Sequence, residues 1–386
     1  RCNKLINLDL NFDTSNVIDM RFMFYNCHEL KEIKGINKFK TSKVTNMRGI
    51  FLGCHKLINL NLNFDTSNVI NMGYMFNECY ELKEIKGINK FNTSKVTTMK
   101  EMFGECNKLI RLDLNFDTSN VIDMSLMFSK CHELQRINGI NKFNTKKLTN
   151  LKDMFQECNH IEYLNLNFDT SKVITMEFMF YRCYELREIK GINKFNTSKV
   201  ANMMGMFSGC KNLVNLDINF DTSNVTDMSF MFKECHELRE IKGINKFNTS
   251  KVIKMNSMFY ECSKLIKLDL NFDTSNVLNM EAMFYGCLEL KEIKGIDKFN
   301  TSNVKYMLSL FNECKKLKNL DLNFDTSNVI NMAFIFSKCC ELKEIKGINK
   351  FNTSKVIQIN SMFNECNKLI SLDLNFDTSN TIDMRF

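Results

Sequence analysis

The sequence contains no proline and no tryptophan, while Asn, Lys, Ile and Phe are abundant. This bias is typical of an AT-rich genome rather than of a particular fold. Long apolar runs are also absent, since no stretch approaches the ~18 apolar residues that a membrane-spanning helix needs. We therefore expect no transmembrane segment within these residues. The sequence begins inside a repeat at Arg1-Cys2, so we expect the true termini, with any signal or anchor, to lie outside it.

Residue patterns that carry catalysis or hold metals are absent as well. We find no phosphate-binding loop, no H-E-x-x-H sequence and no nucleophile with a base at a recognised spacing. Zinc needs four clustered ligands, and the chain has neither a C-x-x-C pair nor grouped histidines. The five histidines lie just after a recurring cysteine, but no histidine position is filled in every repeat: His28, His55, His132, His160 and His236. We predict no enzyme activity, no cofactor and no metal site.

The charge balance is mildly basic and gives no strong indication of a partner. The chain carries 52 Lys and Arg against 44 Asp and Glu, a formal net charge of +8. The excess is spread along the sequence and is not gathered into a basic block. We therefore predict that nucleic acid is not a partner.

Cysteine recurs at alternating intervals of 25 and 27 residues from one end of the sequence to the other. Only Cys340 stands outside this series. The period is therefore 52 residues, made of two similar turns, each of which we call a coil. Such self-similarity is typical of a solenoid, in which each unit buries its apolar face against its neighbours. We predict one continuous leucine-rich-repeat solenoid over residues 1–386, of about fifteen coils, forming a window of a longer array.

One coil predicts its own elements. The Leu57-x-x-Leu60-x-Leu62 pattern favours a strand with alternate residues facing inward. Residues 65–68, Asp-Thr-Ser-Asn, are typical of a turn, and residues 69–72 indicate a second extended segment. Apolar residues at i, i+3, i+4 and i+7 over 72–79 predict a short helix or a tight helical turn. The alternate coil has two extra residues near the strand, and its recurring glycine (Gly35 in the first copy) predicts a bulge or bend.

These repeats resemble the BspA-type leucine-rich repeats of surface proteins. The resemblance rests on F-x-T-S-x-V-x-x-M-x-x-M-F-x-x-C, and residues 221–235 read DTSNVTDMSFMFKEC. It covers essentially the whole chain. It implies a right-handed parallel solenoid of the α/β repeat class, with short helical turns, and often a surface, adhesive or host-interaction role. The near-identity of the units is a departure, which argues against recognition of one irregular protein.

The cysteine column has two readings that the residues leave open. Neighbouring coils would place the Cα atoms within the distance range of disulfides. Each cysteine also ends an apolar face, where a free thiol packs as a small hydrophobic group. We favour buried reduced thiols. Cys340 stands where other coils carry His or Tyr, so we expect it outside the core and available for an interchain disulfide.

The exposed end of the predicted strands alternates in charge at every step from Lys190 onward, whereas asparagine stands at three earlier positions, Asn61, Asn138 and Asn165. Stacked side by side, these residues predict a ladder of opposite charges, each pair contributing roughly 0.2–1 kcal/mol. A charged binding strip for a polymer is the functional alternative. We call the following set the charge ladder: Asp9, Lys34, Lys86, Asp113, Lys190, Asp217, Lys242, Asp269, Lys294, Asp321, Lys346 and Asp373.

The turns carry two further columns. A threonine occurs in every coil, and we predict that these hydroxyls satisfy backbone groups of the turn. Six asparagines open N-x-S/T sequons, which are glycosylation acceptors if the chain passes through a eukaryotic secretory route. Plain turn asparagine is the alternative reading. The candidate acceptors are Asn92, Asn196, Asn224, Asn248, Asn300 and Asn352.

The sequence therefore predicts a non-enzymatic structural or cell-surface repeat protein that assembles into an extracellular filament. The alternative is an adhesin or scaffold that binds a protein or polysaccharide along one face. Exposed stretches repeat almost verbatim, so any ligand is itself repetitive and is bound by many weak contacts. The expected partners are further copies of the chain, end to end or side by side, or a host or matrix protein or glycan. We expect an extracellular or cell-surface location.

Overall fold

The computed structural model describes residues 2–385. Backbone packing divides the chain into two units, Arg1–Phe195 and Asn196–Phe386, and each is described by itself. One continuous solenoid over 1–386 stays a prediction.

The first unit contains eight short strands and four 3₁₀ helices. The strands are β1 (Asn7–Asp9), β2 (Glu32–Lys34), β3 (Asn59–Asn61), β4 (Glu84–Lys86), β5 (Arg111–Asp113), β6 (Arg136–Asn138), β7 (Tyr163–Asn165) and β8 (Glu188–Lys190). The 3₁₀ helices are Ile36–Lys38, Ile88–Lys90, Ile140–Lys142 and Ile192–Lys194.

The second unit repeats this order with six strands and three 3₁₀ helices. The strands are β9 (Asn215–Asp217), β10 (Glu240–Lys242), β11 (Lys267–Asp269), β12 (Glu292–Lys294), β13 (Asn319–Asp321) and β14 (Glu344–Lys346). The 3₁₀ helices are Ile244–Lys246, Ile296–Lys298 and Ile348–Lys350.

The strands pair in parallel, two by two, across the 25-residue step. In the first unit β1 pairs with β2, β3 with β4, β5 with β6 and β7 with β8. In the second unit the pairs are β9–β10, β11–β12 and β13–β14. No strand ladder among the described residues spans the 27-residue step. Each unit is thus a parallel β-solenoid with few helices, with about 14 turns in the two units together, which confirms the predicted fold class.

A left-handed glycine makes the 27-residue coil possible. Gly87 has φ of +88° and caps the 3₁₀ helix Ile88–Lys90. A Cβ on Gly87 would lie 1.9 Å from the carbonyl oxygen of Leu62 in the preceding coil. Glycine is therefore required both by its φ and by this close approach. The predicted bend is this glycine followed by a single 3₁₀ turn, which takes up the two extra residues and leads the chain away from the neighbouring strand.

The apolar run over residues 72–79 forms consecutive turns and no helix, so the first of the two predicted alternatives, a short helix, is wrong here. Tyr74 and Glu78 have φ of +60° and +58°, and left-handed residues at this spacing interrupt a helix. The N–H groups of Met72, Tyr74, Phe76 and Glu78 instead donate to carbonyl oxygens of the next coil, at 2.8–3.2 Å. Hydrogen bonding between coils therefore takes the place of the i→i−4 bonding that an α-helix would have.

The interior of each unit is a set of stacked columns. Phe128 has a fully buried side chain, and its ring centroid lies 5.7 Å from that of Phe103 and 5.6 Å from that of Phe155. In the second unit Phe259 lies 5.6 Å from Phe232 and 5.7 Å from Phe284. Because every coil places the same residue at the same height, neighbouring rings stack nearly parallel, and each column is closed to water.

Candidate binding grooves

The strand face carries open grooves where strand pairing is interrupted. In the first unit a groove of about 730 Å³ lies between β6 and β7. In the second unit a groove of about 280 Å³ lies between β10 and β11, and one of about 690 Å³ lies between β12 and β13. All three occur at the 27-residue step, where the 3₁₀ helix leads the chain out of the strand. Each of the three is a concave place on this face that could receive a ligand.

The two grooves of the second unit share their chemistry. The groove between β10 and β11 is lined by Glu240 and Lys242 on one side and Lys267 and Asp269 on the other. The groove between β12 and β13 presents Glu292, Lys294, Asn319 and Asp321 at the equivalent places. Both offer cations and carboxylates in alternation, with an isoleucine and a leucine at the floor. Such a surface suits a polar partner that carries hydrogen-bonding groups of both kinds.

The charge ladder lies on these same strands. Strand pairing sets Asp9 opposite Lys34 in the first unit, and sets Asp217 opposite Lys242 in the second. The other Asp–Lys register partners are Asp269 with Lys294 and Asp321 with Lys346. Lys86, Lys190 and Asp113 face asparagines: Asn61, Asn165 and Asn138. Asp373 lies in a coil without an assigned strand, where its Oδ2 accepts a hydrogen bond from Asn349 Nδ2 at 3.3 Å.

Register alone does not bring the ladder charges into contact. Among the described residues, none of these aspartates lies within 4.0 Å of its partner lysine, and Lys86 instead approaches Glu84 of its own strand at 3.7 Å. Pairing two by two also leaves the ladder positions without a hydrogen-bonded register across the 27-residue step, which is bridged instead at positions such as Asn71 and Thr98. The energetic role of the ladder therefore stays a prediction.

The turn edge is a hydrogen-bonded lattice. Thr66 is buried, and its Oγ1 donates to the carbonyl oxygen of Asn92 in the next coil at 2.9 Å. Thr93 repeats this contact with Asp117, also at 2.9 Å. These threonine hydroxyls thus satisfy turn backbone, as predicted, whereas the buried Thr145 Oγ1 has no hydrogen-bond partner among the described residues. The side chains of Thr66 and Thr93 at the turn edge are therefore used in contacts between coils.

Five sequon asparagines share one conformation. Asn92 is exposed, and its Oδ1 accepts hydrogen bonds from Ser94 N at 3.1 Å and Ser94 Oγ at 2.8 Å. The same serine contacts occur at the remaining members of this group, Asn196, Asn248, Asn300 and Asn352.

The sixth sequon asparagine is engaged differently. Asn224 Nδ2 donates to the carbonyl oxygen of Ser198 at 2.7 Å, and Asn224 Oδ1 accepts from Lys251 Nζ at 2.6 Å. The amide nitrogen that would carry a glycan is thus already used in holding two coils together. Glycan occupancy stays a prediction at all six positions.

The cysteine column is buried, and its thiols make hydrogen bonds. Cys131 Sγ donates to the carbonyl oxygen of Phe103 at 3.0 Å, and Cys79 Sγ donates to that of Phe51 at 3.2 Å. Burial raises the pKa of the Cys131 thiol to about 12. All sixteen cysteines are free thiols in the structure. Cys340 is only half-buried, with Sγ 3.4 Å from the carbonyl oxygen of Lys338, and its role in an interchain bond stays a prediction.

Two histidines and a tyrosine form a small stack of rings in the first unit. The rings of His28 and His55 lie 4.1 Å apart, and His55 lies 4.6 Å from Tyr80. Burial, with a smaller contribution from His28, lowers the pKa of His55, although Glu78 at 3.6 Å opposes this. No group of three or more His, Cys, Asp or Glu suited to a metal ion occurs in residues 2–385. Within the same residues, no helix has the length and apolarity to cross a bilayer.

The first-unit groove differs from the other two in its lining. Arg111, Arg136, Asn138 and Tyr163 occupy positions that mostly carry Asn, Glu, Lys and Asn in the other repeats. Sequence reasoning missed these residues because the exposed stretches were treated as near-identical copies. Comparing each strand position across all repeats would have shown that the departures concentrate in β6 and its neighbours.

Comparison with known proteins gives one family and a set of structural likenesses. None of the curated proteins matches the sequence significantly. A leucine-rich repeat protein from Bacteroides ovatus ATCC 8483 is 18% identical, with a TM-score of 0.49 over 98% of this chain and 92% of its own. A leucine-rich cell surface protein from Faecalibacterium prausnitzii A2-165 is 14% identical, with a TM-score of 0.39 over 97% of this chain and 88% of its own.

A family model matches nearly the whole sequence in four overlapping stretches, residues 2–109, 80–189, 179–293 and 288–386. The chain therefore belongs to the family described as Mycoplasma protein of unknown function, DUF285.

Proposed function

We propose that this chain is a non-enzymatic cell-surface scaffold of the BspA-like kind, which binds a repetitive protein or polysaccharide along its strand face. The observation that carries the proposal is the recurrence of one groove chemistry. Glu240, Lys242 and Asp269 in one groove are matched by Glu292, Lys294 and Asp321 in the next. Equivalent sites at a fixed repeat fit a partner whose own groups recur at a fixed repeat.

Multiple weak contacts are the mechanism of this binding. Each groove is open and charged on both sides, so a single contact is exposed to solvent and contributes little. A polymer that occupies several grooves binds its second and later sites intramolecularly. Avidity can then exceed the affinity of one site by roughly 10²–10⁴. The near-identical sequences of the strands support this mechanism, because each repeat that has the same exposed residues adds another equivalent binding site.

Surface plasmon resonance on the immobilised chain tests this function. Analytes are matrix polysaccharides and fibrous proteins, each as a long polymer and as its shortest repeating fragment. We expect one polymer class to bind about 100-fold more tightly than its fragment. Equal affinities, or no binding by any polymer, would contradict the proposal.

Matched charge variants locate the binding face. Lys242→Glu with Lys294→Glu changes two grooves of the second unit, whereas Lys199→Glu with Lys251→Glu makes the same change in charge at the turn edge. We expect only the groove variant to lose avidity. Equal losses in both variants would show that net charge, and not the strand face, governs binding.

Surface location has its own test. Protease treatment of intact cells of the source organism, followed by immunoblotting, is expected to digest the chain while a cytoplasmic marker stays whole. Digestion only after lysis would contradict an extracellular location.

Lateral self-association into a filament is the second candidate, favoured by the self-complementary charges of the grooves. Lys242 and Asp269 could face the carboxylates and lysines of another copy, since each groove offers both signs. Sedimentation velocity of the full chain is expected to show salt-sensitive, concentration-dependent assembly. A single monomeric species at all concentrations would exclude the filament and leave the scaffold.

A further inference from the structure

Departures from the repeat gather in one strand. Among the described strands, every even-numbered strand begins with Glu and ends with Lys except β6, which begins with Arg136 and ends with Asn138. The residue before it is Gln135, where the other copies carry Lys or Arg. Tyr163 opens the facing strand β7 at a position where most copies carry Asn. All four residues line the groove between β6 and β7. The buried positions of these coils stay apolar, although Leu148, Leu151 and Ile161 replace the Val, Met and Leu of most copies.

Two arginines lie opposite each other in this groove. Arg111 of β5 and Arg136 of β6 are register partners, where the other repeats pair Asn, Tyr or Lys with Glu. Like charges directly opposite each other on parallel neighbours destabilise the pair. Arg111 is partly compensated, because its Nε lies 3.4 Å from Asp113 Oδ1, an oxygen that also accepts from Asn138 Nδ2. Within residues 2–385, no carboxylate lies within 4.0 Å of the Arg136 guanidinium. An anionic group between the two arginines would relieve this repulsion.

The rest of the lining narrows the class of ligand. The Tyr163 residue is 61% exposed and presents an aromatic surface at the groove edge. Amide side chains of Gln135, Asn138 and Asn141 both donate and accept hydrogen bonds, as sugar hydroxyls do. Glu162 and Glu185 also line the groove, where they would repel a polyacidic peptide but can accept hydrogen bonds from hydroxyl groups. Glu162 already lies 3.4 Å from Arg187 Nε, so its charge is balanced from outside the groove.

We propose that the groove between β6 and β7 binds an acidic oligosaccharide. Arg111 and Arg136 hold its carboxylate or sulfate group, and Tyr163 packs against a sugar ring. The planar guanidinium can donate two parallel hydrogen bonds to such a group, which fixes its orientation as well as its charge. The inference rests on the proposed binding role of the strand face. In it, the groove between β6 and β7 determines which partner binds, and the near-identical grooves add affinity for that partner.

The test uses the full chain and a hyaluronan hexasaccharide, whose glucuronate supplies the carboxylate, in isothermal titration calorimetry. A neutral maltohexaose and a hexaglutamate peptide serve as comparison ligands. We expect the hexasaccharide to bind and both comparison ligands to bind at least tenfold more weakly. Because the bond involves a charged group, Arg136→Glu is expected to weaken hexasaccharide binding by about 10- to 100-fold. This variant restores the residue that the other even-numbered strands carry, so it is compatible with folding.

Lys31→Glu is the matched control, since it reverses one exposed cation beside β2, away from this groove. We expect it to leave hexasaccharide affinity within twofold of the original chain. An unchanged affinity in Arg136→Glu, or an equal loss in both variants, would overturn the site. Equal or tighter binding of hexaglutamate would overturn the saccharide assignment in favour of an acidic peptide. Polymer avidity without hexasaccharide binding would refute this site alone, whereas loss of both would refute the scaffold function as well.

Discussion

The carbonyl oxygen of Leu62 lies 1.9 Å from the point that a Cβ on Gly87 would occupy. Gly87 also has φ of +88°. Six further glycines of the series stand in the same relation to the coil before them: Gly35, Gly139, Gly191, Gly243, Gly295 and Gly347. This contact shapes every long coil, and it also positions the grooves, because the chain leaves the strand directly after it.

Replacing Gly87 by alanine is therefore expected to be strongly destabilising. The new methyl group overlaps backbone that cannot move without breaking the strand pair, and the residue keeps an unfavourable φ. We expect a loss of about 3 kcal/mol or more in the free energy of unfolding, measured by urea denaturation. Gly73→Ala is the control, because Gly73 has no positive φ and other coils carry Ser or Ala there. Equal losses in the two variants would contradict this explanation.

The carboxyl group of Asp153 is expected to make the free energy of unfolding depend on pH. It is buried, and burial raises the pKa of its carboxyl from 3.8 to about 6, with Lys152 opposing the shift and Glu177 adding to it. The folded state therefore binds a proton more tightly than the unfolded state. Stability from this group is present below about pH 4, is lost as pH rises to about 6, and stays lost above that.

Asp153→Asn is expected to be more stable than the original chain at pH 7, by on the order of 1–2 kcal/mol. The difference is expected to shrink towards pH 4, where the original carboxyl is protonated in the folded state and, at its ordinary pKa of 3.8, about half protonated in the unfolded state. Asp153→Gly should behave alike, since Gly49 and Gly205 occupy this position with positive φ in other coils. Urea denaturation at pH 4 and pH 7 measures both. A difference that does not change with pH would count against the assignment.

Thiol reactivity should separate the buried cysteines of the column from the exposed Cys2 and the half-buried Cys340. The thiolate is the reactive species, and burial raises the pKa of Cys131 and of Cys183 to about 12. With a disulfide reagent under native conditions, we expect Cys2 and Cys340 to react quickly and the thirteen buried cysteines only on unfolding. Peptide mass spectrometry over time identifies each site. Fast labelling of Cys131 in the folded chain would refute the buried-thiol interpretation.

Cys340 gives a separate prediction about interchain bonding. Its thiol is only half-buried, whereas the neighbouring Cys339 is buried. After mild oxidation we expect a covalent dimer on non-reducing gels, which Cys340→Ser abolishes and Cys339→Ser does not. A dimer that survives in Cys340→Ser would exclude this cysteine as the link.

A double-mutant cycle can measure the charge ladder. Asp217 and Lys242 are register partners, and cross-strand pairs of opposite charge contribute roughly 0.2–1 kcal/mol. Using asparagine and methionine as the neutral replacements, we expect a coupling within this range that falls as salt rises. The control cycle pairs Asp217 with Lys294, which are not register partners, and is expected to give coupling near zero. Equal coupling in both cycles would show a long-range charge effect and no ladder.

The strand positions were predictable, and the turn conformation over residues 72–79 was not. Leu60 at the centre of β3 follows from alternation of inward and outward residues, which a strand obeys wherever it lies. Residues 72–79 satisfy the spacing of a helix equally well. Tyr74 and Glu78 adopt left-handed φ values because this conformation lets alternate N–H groups donate hydrogen bonds to the next coil. The acceptors lie in another coil, so the local sequence pattern does not reveal them.

The candidate groove between β6 and β7 was likewise predictable only in part from the sequence. Its residues, Arg111, Arg136 and Tyr163, are separated by 25 and 27 positions, and each alone reads as an ordinary exposed side chain. The repeat period indicates that such residues share one face. These three side chains line one groove because the strand pairing stops between β6 and β7. The glycine of the long coil determines where the pairing stops, through its contact with the preceding coil.

The sequence by itself determined the repeat, the parallel stacking of coils and the composition of each buried column. Near-identical repeats bury the same face, so equivalent residues of neighbouring coils pack against each other. Only the tertiary structure decided that the strands pair two by two and that the apolar segment before each cysteine is a series of turns. It also decided that grooves open at the long steps between β6 and β7, between β10 and β11, and between β12 and β13. These features depend on hydrogen bonds and close approaches between coils, and their partners lie 24 to 30 residues apart in the chain.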